Sequence, residues 1–255
     1  MQWMTLFKKE LLENWRNKKW IWVPLVIILL SIMDPITSYY LPQIIDSVGG
    51  LPEGSTLEMP EFAPPEVIMM SLSQLSSLGV LVLVLMSMGT IAGERKSGVT
   101  ELILVKPVAY RNYITAKWVS LLMLVWISLF LGLLTSWYYI NLLFGDLSFV
   151  ELLQITFFYG LWLTLVVSLS IFYNALIKTP GLVAFLTILT IMVMSLINQV
   201  FNHVLEWFPN NLSSYILDML MTDQLSTDLI ATACVTMILS IALVVASIYT
   251  FRVKD

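Results

Sequence analysis

Histidine and cysteine are each present only once in the 255 residues, as His203 and Cys234. One histidine cannot build a multi-histidine metal site, and one cysteine cannot form a disulfide within the chain. The sequence also lacks the Gly-x-x-x-x-Gly-Lys-Ser/Thr loop that holds nucleotide phosphates, the His-Glu-x-x-His pair of zinc peptidases and the Gly-x-Ser-x-Gly elbow of serine hydrolases. Since no convergent catalytic set is evident, we predict that the chain is not an enzyme by itself.

Charged residues are scarce. They make up 12% of the chain, whereas 58% of the residues are hydrophobic and the mean hydropathy is +0.87. A soluble domain usually carries about 25% charged residues, because it needs polar surface to cover its core. This composition therefore favours a protein whose solvent is lipid, and it gives no indication of a nucleic-acid partner.

Six apolar stretches are long enough to cross a bilayer core of about 30 Å, which requires roughly 20 helical residues. They cover residues 21–41, 67–92, 118–140, 149–177, 181–200 and 229–251. The first is interrupted by Asp34-Pro35, but we count it because its apolar run resumes and ends in an interfacial aromatic pair, Tyr39-Tyr40. None of the stretches shows the alternation of a barrel strand. We predict an all-α membrane protein with one transmembrane domain over residues 1–255.

Basic residues lie only in alternate connections between these stretches, and this pattern predicts the orientation. Five precede the first stretch, five lie between the second and third, one lies between the fourth and fifth, and two follow the sixth. In chain order they are Lys8, Lys9, Arg16, Lys18, Lys19, Arg95, Lys96, Lys106, Arg111, Lys117, Lys178, Arg252 and Lys254. Because basic connections stay on the cytoplasmic side, both termini are predicted to be cytosolic.

Two segments flanking the spans have structure of their own. Apolar residues recur at helical spacing in residues 2–19, which predicts an interfacial elbow helix with its basic side near the headgroups. Residues 198–227 mix polar and aromatic residues around Pro209, which predicts a broken helical segment at the outer interface.

The coupling segment (residues 93–117) is the longest predicted cytosolic connection. Gly98 permits a turn, Glu101 suits the positive end of a helix dipole, and Pro107 ends the helix. We predict a short helix over residues 99–105, whose apolar residues need cover. These residues are Leu102, Ile103 and Val105. The helix either rests on the membrane or docks a cytosolic partner.

This segment resembles the ABC-2 type permeases, the membrane subunits of type V ABC exporters. The family pattern is roughly Glu-Arg-x-x-Gly-Thr-x-Glu, a few apolar residues, Pro-Val, then Arg and a later Gly-Lys. The matching residues are Glu94, Arg95, Gly98, Glu101, Leu102, Pro107, Val108, Arg111 and Lys117. Val99 stands where Thr is commoner and Ala116 where Gly is commoner. Chain length, six spans, the elbow helix and the broken outer segment extend the resemblance over the whole chain.

The resemblance implies the transmembrane subunit of an ATP-driven exporter in a bacterial cell membrane. Two permease chains, identical or homologous, would pair, and two separate P-loop ABC ATPase subunits would bind ATP and Mg, so that this chain binds no cofactor. The coupling residues that it implies are Glu94, Arg95, Gly98, Glu101, Leu102, Ile103 and Pro107. Of these, Glu94, Arg95 and Glu101 would make charged contacts with the ATPase. The alternative is an ATP-independent secondary transporter or channel, which usually has charges near the bilayer midplane or paired broken helices.

Polar residues within the spans are candidates for the substrate path, because polar groups inside a membrane commonly face the bundle or a cavity. The candidates are Asp34, Ser73, Gln74, Ser77 and Asn174. Asp34 is either a contact to cargo or, together with Pro35, the point where the first helix ends. The serines suit helix packing as well as they suit a substrate.

Overall fold

The computed structural model describes residues 2–47, 62–99 and 109–254, and these residues are all-helical, with no strand. The first helix, α1, covers Gln2–Arg16, and α2 covers Lys19–Ser47. The others are α3 Pro64–Gln74, α4 Val80–Ser87, α5 Ala92–Lys96, α6 Tyr110–Leu143, α7 Phe149–Leu176, α8 Pro180–Phe201, α9 Leu212–Thr222 and α10 Thr227–Lys254.

Six helical stretches of the described residues are long and apolar enough to span a membrane, as the predicted fold class requires. They are Lys19–Ile45, Pro64–Lys96, Tyr110–Leu143, Phe149–Leu176, Pro180–Phe201 and Thr227–Val253, called the first to sixth spans below. The third span begins at Tyr110 rather than near residue 118, because its polar first turns continue the same helix. The orientation of the termini stays a prediction, and the words inner and outer below refer to the predicted cytosolic side and to the side opposite it.

The first span does not end at Asp34-Pro35. Helix α2 runs through Pro24, Pro35 and Pro42 to Ser47, so the interpretation of Asp34-Pro35 as a helix end is wrong. Proline inside a helix costs about 3 kcal/mol. Ending the helix in lipid would instead expose several backbone groups that no water can satisfy, which is costlier.

The second span is a helix with two irregularities. Residues Leu75–Gly79 form a π-helical turn between α3 and α4. The buried hydroxyl of Tyr159 lies 2.9 Å from Ser76 Oγ and 3.4 Å from the carbonyl oxygen of Leu72, which is where an irregular turn needs polar partners. A second break separates α4 from α5.

The fourth span is almost entirely enclosed by the other helices, whereas the fifth is mostly exposed. Close packing elsewhere depends on glycine. At Gly132 of the third span, an added Cβ would lie 2.8 Å from Ile27 Cγ2 of the first span. The first and third spans therefore approach more closely than any side chain at position 132 would allow.

The outer segment is broken at Pro209, as the sequence predicts. A 3₁₀ turn at Pro209–Asn211 precedes α9. The Asn211 amide donates hydrogen bonds to the carbonyl oxygens of Leu205 and Glu206, at 2.9 and 3.1 Å. These bonds fix the turn that brings the chain from the fifth span into α9.

Candidate coupling site

Five side chains from three helices form what we call the charged cluster. They are Lys9, Glu10, Glu94, Tyr113 and Lys117. Lys117 Nζ lies 2.9 Å from Oε1 of both Glu10 and Glu94. Lys9 Nζ lies 2.6 Å from Glu94 Oε1 and 3.0 Å from Glu10 Oε1. The Tyr113 hydroxyl donates to Glu94 Oε2 at 2.5 Å. The cluster therefore ties α1 to the inner end of the second span and to the start of the third.

Two further hydrogen bonds hold α1 against the third span. Trp3 Nε1 donates to Thr115 Oγ1 at 3.1 Å, and Asn14 Nδ2 donates to Ser120 Oγ at 3.0 Å. Trp3, Glu10 and Asn14 recur at about helical spacing and thus lie on one face of α1. The elbow helix is consequently fastened along its length and presents two polar residues, Glu10 and Asn14, to the interior.

Burial and charge oppose each other at Lys9. Burial lowers the pKa of its ammonium group, but the carboxylates of Glu10 and Glu94 outweigh that effect and hold the pKa above its usual value. Oxygens of Glu10, Glu13 and Glu94 lie within 4.8 Å of one another, a spacing that could suit a metal ion. The ammonium groups of Lys9 and Lys117 already supply the positive charge there, so we interpret the cluster as an ion-pair network.

Arg95 lies next to the cluster and joins other helices. Its guanidinium donates a 2.8 Å hydrogen bond to the carbonyl oxygen of Ala175 and lies 5.1 Å from the centre of the Phe251 ring. Ala175 belongs to the last turn of the fourth span, whose unpaired carbonyls a cation stabilises. Phe251 also stacks on Tyr113 at 5.5 Å. Arg95 thus connects the inner ends of the second, fourth and sixth spans.

Asn174 is fully buried and fixes the break in the second span. Its Oδ1 accepts from the backbone N–H groups of Ile91 and Ala92, at 3.1 and 3.0 Å. Its Nδ2 donates to the carbonyl oxygens of Ser87 and Ser170, at 3.1 and 2.9 Å. Because the amide is saturated by the chain itself, this geometry favours a structural role for Asn174, and its place on a substrate path stays a prediction.

The predicted coupling residues fall into two groups. Glu94 and Arg95 are each 9% exposed and bonded within the chain, which favours an internal role over direct contact with another protein. Gly98 has φ of +75°, in agreement with the turn predicted there. The remaining coupling residues lie outside the described residues, and their role stays a prediction. They are Glu101, Leu102, Ile103 and Pro107.

The other path candidates lie in the outer half of the bundle, on the first and second spans. Ser73 and Ser77 are exposed, while Gln74 and Asp34 are half-buried. Gln74 Nε2 lies 4.0 Å from the sulfur of Met33, the neighbour of Asp34, so the two half-buried groups occupy adjoining helices. Ser73, Gln74 and Ser77 lie within two turns of the second span, beside the part of the first span that carries Asp34. They are separated from Asn174, which lies at the inner end of the fourth span.

Sequence reasoning missed Lys9, Glu10 and Tyr113 as members of the site. The helical spacing of α1 places Glu10 and Asn14 on the face of Trp3, and polar residues on an apolar face indicate buried polar partners. The family pattern includes Lys117 but does not predict that it is the centre of a cluster. Its partners are Glu10 and Glu94, distant in sequence, so spacing alone could not pair them.

Comparisons with known proteins agree with this architecture. A family model described as ABC-2 family transporter protein matches residues 4–252. The chain is also similar to a protein of Bacillus subtilis (strain 168), "Uncharacterized transmembrane protein YxlG". The two are 32% identical over 206 residues, which cover 81% of this chain and 80% of the relative. The chain therefore belongs to the ABC-2 family of transporter proteins, as a multi-pass membrane permease component.

Proposed function

We propose that this chain is the transmembrane subunit of an ATP-driven exporter. Two permease chains, identical or homologous, would enclose the substrate path, and two separate ABC ATPase subunits carrying ATP and Mg would drive them. Family membership supports the transporter role. The observation that carries the driven mechanism is the charged cluster, which binds α1 to both ends of the coupling segment.

The cluster makes the inner ends of several helices move as one body. Glu94 and Arg95 stand before the part of the coupling segment that would meet an ATPase, and Tyr113 and Lys117 follow it. A force on that part reaches α1 through Lys117 and Glu10, and it reaches the fourth and sixth spans through Arg95. We propose that these contacts transmit movement from the ATPase to the membrane helices.

The substrate path is proposed to run along the polar outer face of the first and second spans. Ser73 and Ser77 are exposed on a single chain, and the Ser77 hydroxyl donates within its own helix to the carbonyl oxygens of Ser73 and Gln74. Polar residues of a span more commonly face the bundle or a cavity than lipid. A second permease chain placed against this face would enclose them together with Gln74 and Asp34. Ser77 belongs to the π-helical turn that follows Gln74, and such turns are frequent at functional sites.

Reconstitution with an ATPase tests the driven mechanism. The chain would be co-expressed with an ABC ATPase encoded beside its gene, purified through a tag on the permease, and assayed for ATP hydrolysis in liposomes. We expect co-purification and faster hydrolysis with the permease than without it. Glu101→Ala should lower that stimulation, whereas Asp146→Ala, which removes an exposed acid between the third and fourth spans, should leave it unchanged. Transport by purified permease without any ATPase would contradict the proposal.

Thiol labelling tests the path independently. In a Cys234→Ser background, Ser77→Cys is compared with Leu131→Cys, an exposed apolar position of the third span at similar depth. A water-soluble maleimide reacts with thiolates, so it needs water at the thiol. We expect it to label position 77 and to spare position 131. Equal protection of both positions would place Ser77 against lipid or protein and remove it from the path.

A further inference from the structure

A groove of about 520 Å³ separates the inner ends of the third and sixth spans, beside the charged cluster. Its lower end is lined by Arg111 and Arg252. Thr115 and Trp118 follow from the third span, and Val245 and Ile241 from the sixth. The groove is open to the outside of the bundle, because Val245 and Ile241 are 45% and 48% exposed.

The two arginines are arranged to receive an anion. Both are exposed, and within the residues that the structure describes neither guanidinium has an ion pair or a side-chain hydrogen bond. Arg111 lies in the first turn of the third span, where the helix dipole adds positive potential. A guanidinium matches phosphate oxygens with two parallel hydrogen bonds. The lower end of the groove is therefore suited to a phosphate group.

The groove changes from polar to apolar along the sixth span. With a rise of about 1.5 Å per residue, Ile241 lies roughly 16 Å above Arg252 along the sixth span. The side chains between them that line the groove include Val244, Val245 and Ile248. A charged end with an apolar wall above it has the polarity of a phospholipid, whose headgroup lies at the interface and whose chains rise into the core.

We propose that this groove binds one anionic phospholipid of the inner leaflet. Arg111 and Arg252 hold the phosphate, and the wall around Val245 holds the start of an acyl chain. Basic pockets between transmembrane helices on the cytoplasmic side bind anionic headgroups by this combination of charge and apolar cover. The orientation agrees, because the arginines lie on the side that the distribution of basic residues assigns to the cytosol.

The bound lipid would contact the helices that carry the charged cluster. Thr115 lines the groove and accepts the hydrogen bond from Trp3 of α1. Phe251, next to Arg252, stacks on Tyr113 of the cluster. The lipid therefore stabilises the same junction of α1, third span and sixth span that holds the coupling segment.

Native mass spectrometry of the full chain in detergent tests this proposal. Phosphatidylglycerol is titrated against phosphatidylcholine with the same acyl chains, and glycerol 3-phosphate serves as the headgroup without chains. We expect one phosphatidylglycerol to remain bound in preference to phosphatidylcholine, and glycerol 3-phosphate to bind far more weakly. The double variant Arg111→Gln/Arg252→Gln should lose affinity roughly 30-fold, since each basic residue near an anionic lipid contributes about five-fold.

Two further variants make the outcome decisive. Arg16→Gln/Lys178→Gln removes the same charge from exposed positions outside the groove and should bind phosphatidylglycerol as the wild type does. Val245→Trp fills the apolar part without changing charge and should weaken binding while the protein stays folded. Unchanged binding in the Arg111→Gln/Arg252→Gln variant, or an equal loss in the control, would overturn the proposal. So would a finding that Val245→Trp alters only self-association, because the groove would then accommodate a second copy.

Discussion

Lys117 is the position where a single substitution should most clearly reveal the charged cluster. It is 1% exposed and lies between two carboxylates. Lys117→Met keeps the length and the apolar stem of the side chain but removes the ammonium group. Glu10 and Glu94 are then left facing each other with one cation, Lys9, near them.

The expected loss follows from these distances. Removing one partner of a buried ion pair typically costs 3–5 kcal/mol of the free energy of unfolding. Lys9 stays 2.6 Å from Glu94 and 3.0 Å from Glu10 and compensates in part, so we expect about 3 kcal/mol for Lys117→Met. Glu94→Gln alone also unbalances the cluster. In the double variant one positive and one negative charge disappear together. Its loss of unfolding free energy should therefore be smaller than the sum of the two single losses by about 1–3 kcal/mol.

The free energy of unfolding can be measured by titrating the purified protein in mild detergent with SDS and following helix content by circular dichroism. The wild type, the two single variants and the double variant form one cycle. Asn14→Ala, which removes a neighbouring α1 hydrogen bond but no charge, serves as the control. If Lys117→Met unfolds within about 0.5 kcal/mol of the wild type, or if the cycle is additive, the cluster does not hold these helices together.

Three further predictions use the same unfolding titration. Asn174→Leu leaves two buried backbone amides unpaired and should lower the free energy of unfolding by about 2 kcal/mol or more; a smaller loss would mean that the break in the second span needs no clamp. Because the folded-state pKa of Lys9 is raised, its stabilisation relative to Lys9→Met should be constant from neutral pH up to 10.5, where its carboxylate partners stay ionised, and shrink as the pH rises above 10.5; a difference that grows with pH in that range would refute the assigned shift. Gly132→Ala brings a methyl group 2.8 Å from Ile27 and should destabilise by about 1–3 kcal/mol, whereas Gly181→Ala, with open space around it, should not.

The spans were predictable because hydropathy is a local property of the chain. Each predicted stretch corresponds to a helical span, and the first, which contains Asp34-Pro35, is one continuous helix in the structure. The choice between a helix end and an unbroken helix at Pro35 depended on its surroundings, since neighbouring helices and lipid decide whether freed backbone groups can be satisfied.

Polar residues inside the spans were the least predictable part. Asn174 and Ser77 are both polar residues of otherwise apolar helices, and the sequence does not distinguish their roles. In the structure Asn174 is saturated by backbone groups of the second and fourth spans, while Ser77 is exposed on the outside of the bundle. What identifies Asn174 as a structural amide is its hydrogen bonds to the backbone of Ser87, Ile91 and Ala92, and these residues lie far from it in the sequence.

The sequence by itself determined that this is an integral membrane protein, how many times the chain can cross the bilayer, and which side of the bilayer its basic segments favour. These properties are sums over neighbouring residues, so the order of the chain is enough to give them. The tertiary structure decided which charges are paired. Glu94, expected at a surface that meets an ATPase, is instead buried between Lys9 and Lys117. A buried charge is stable only beside its counter-charge, and three helices had to meet before that pairing existed.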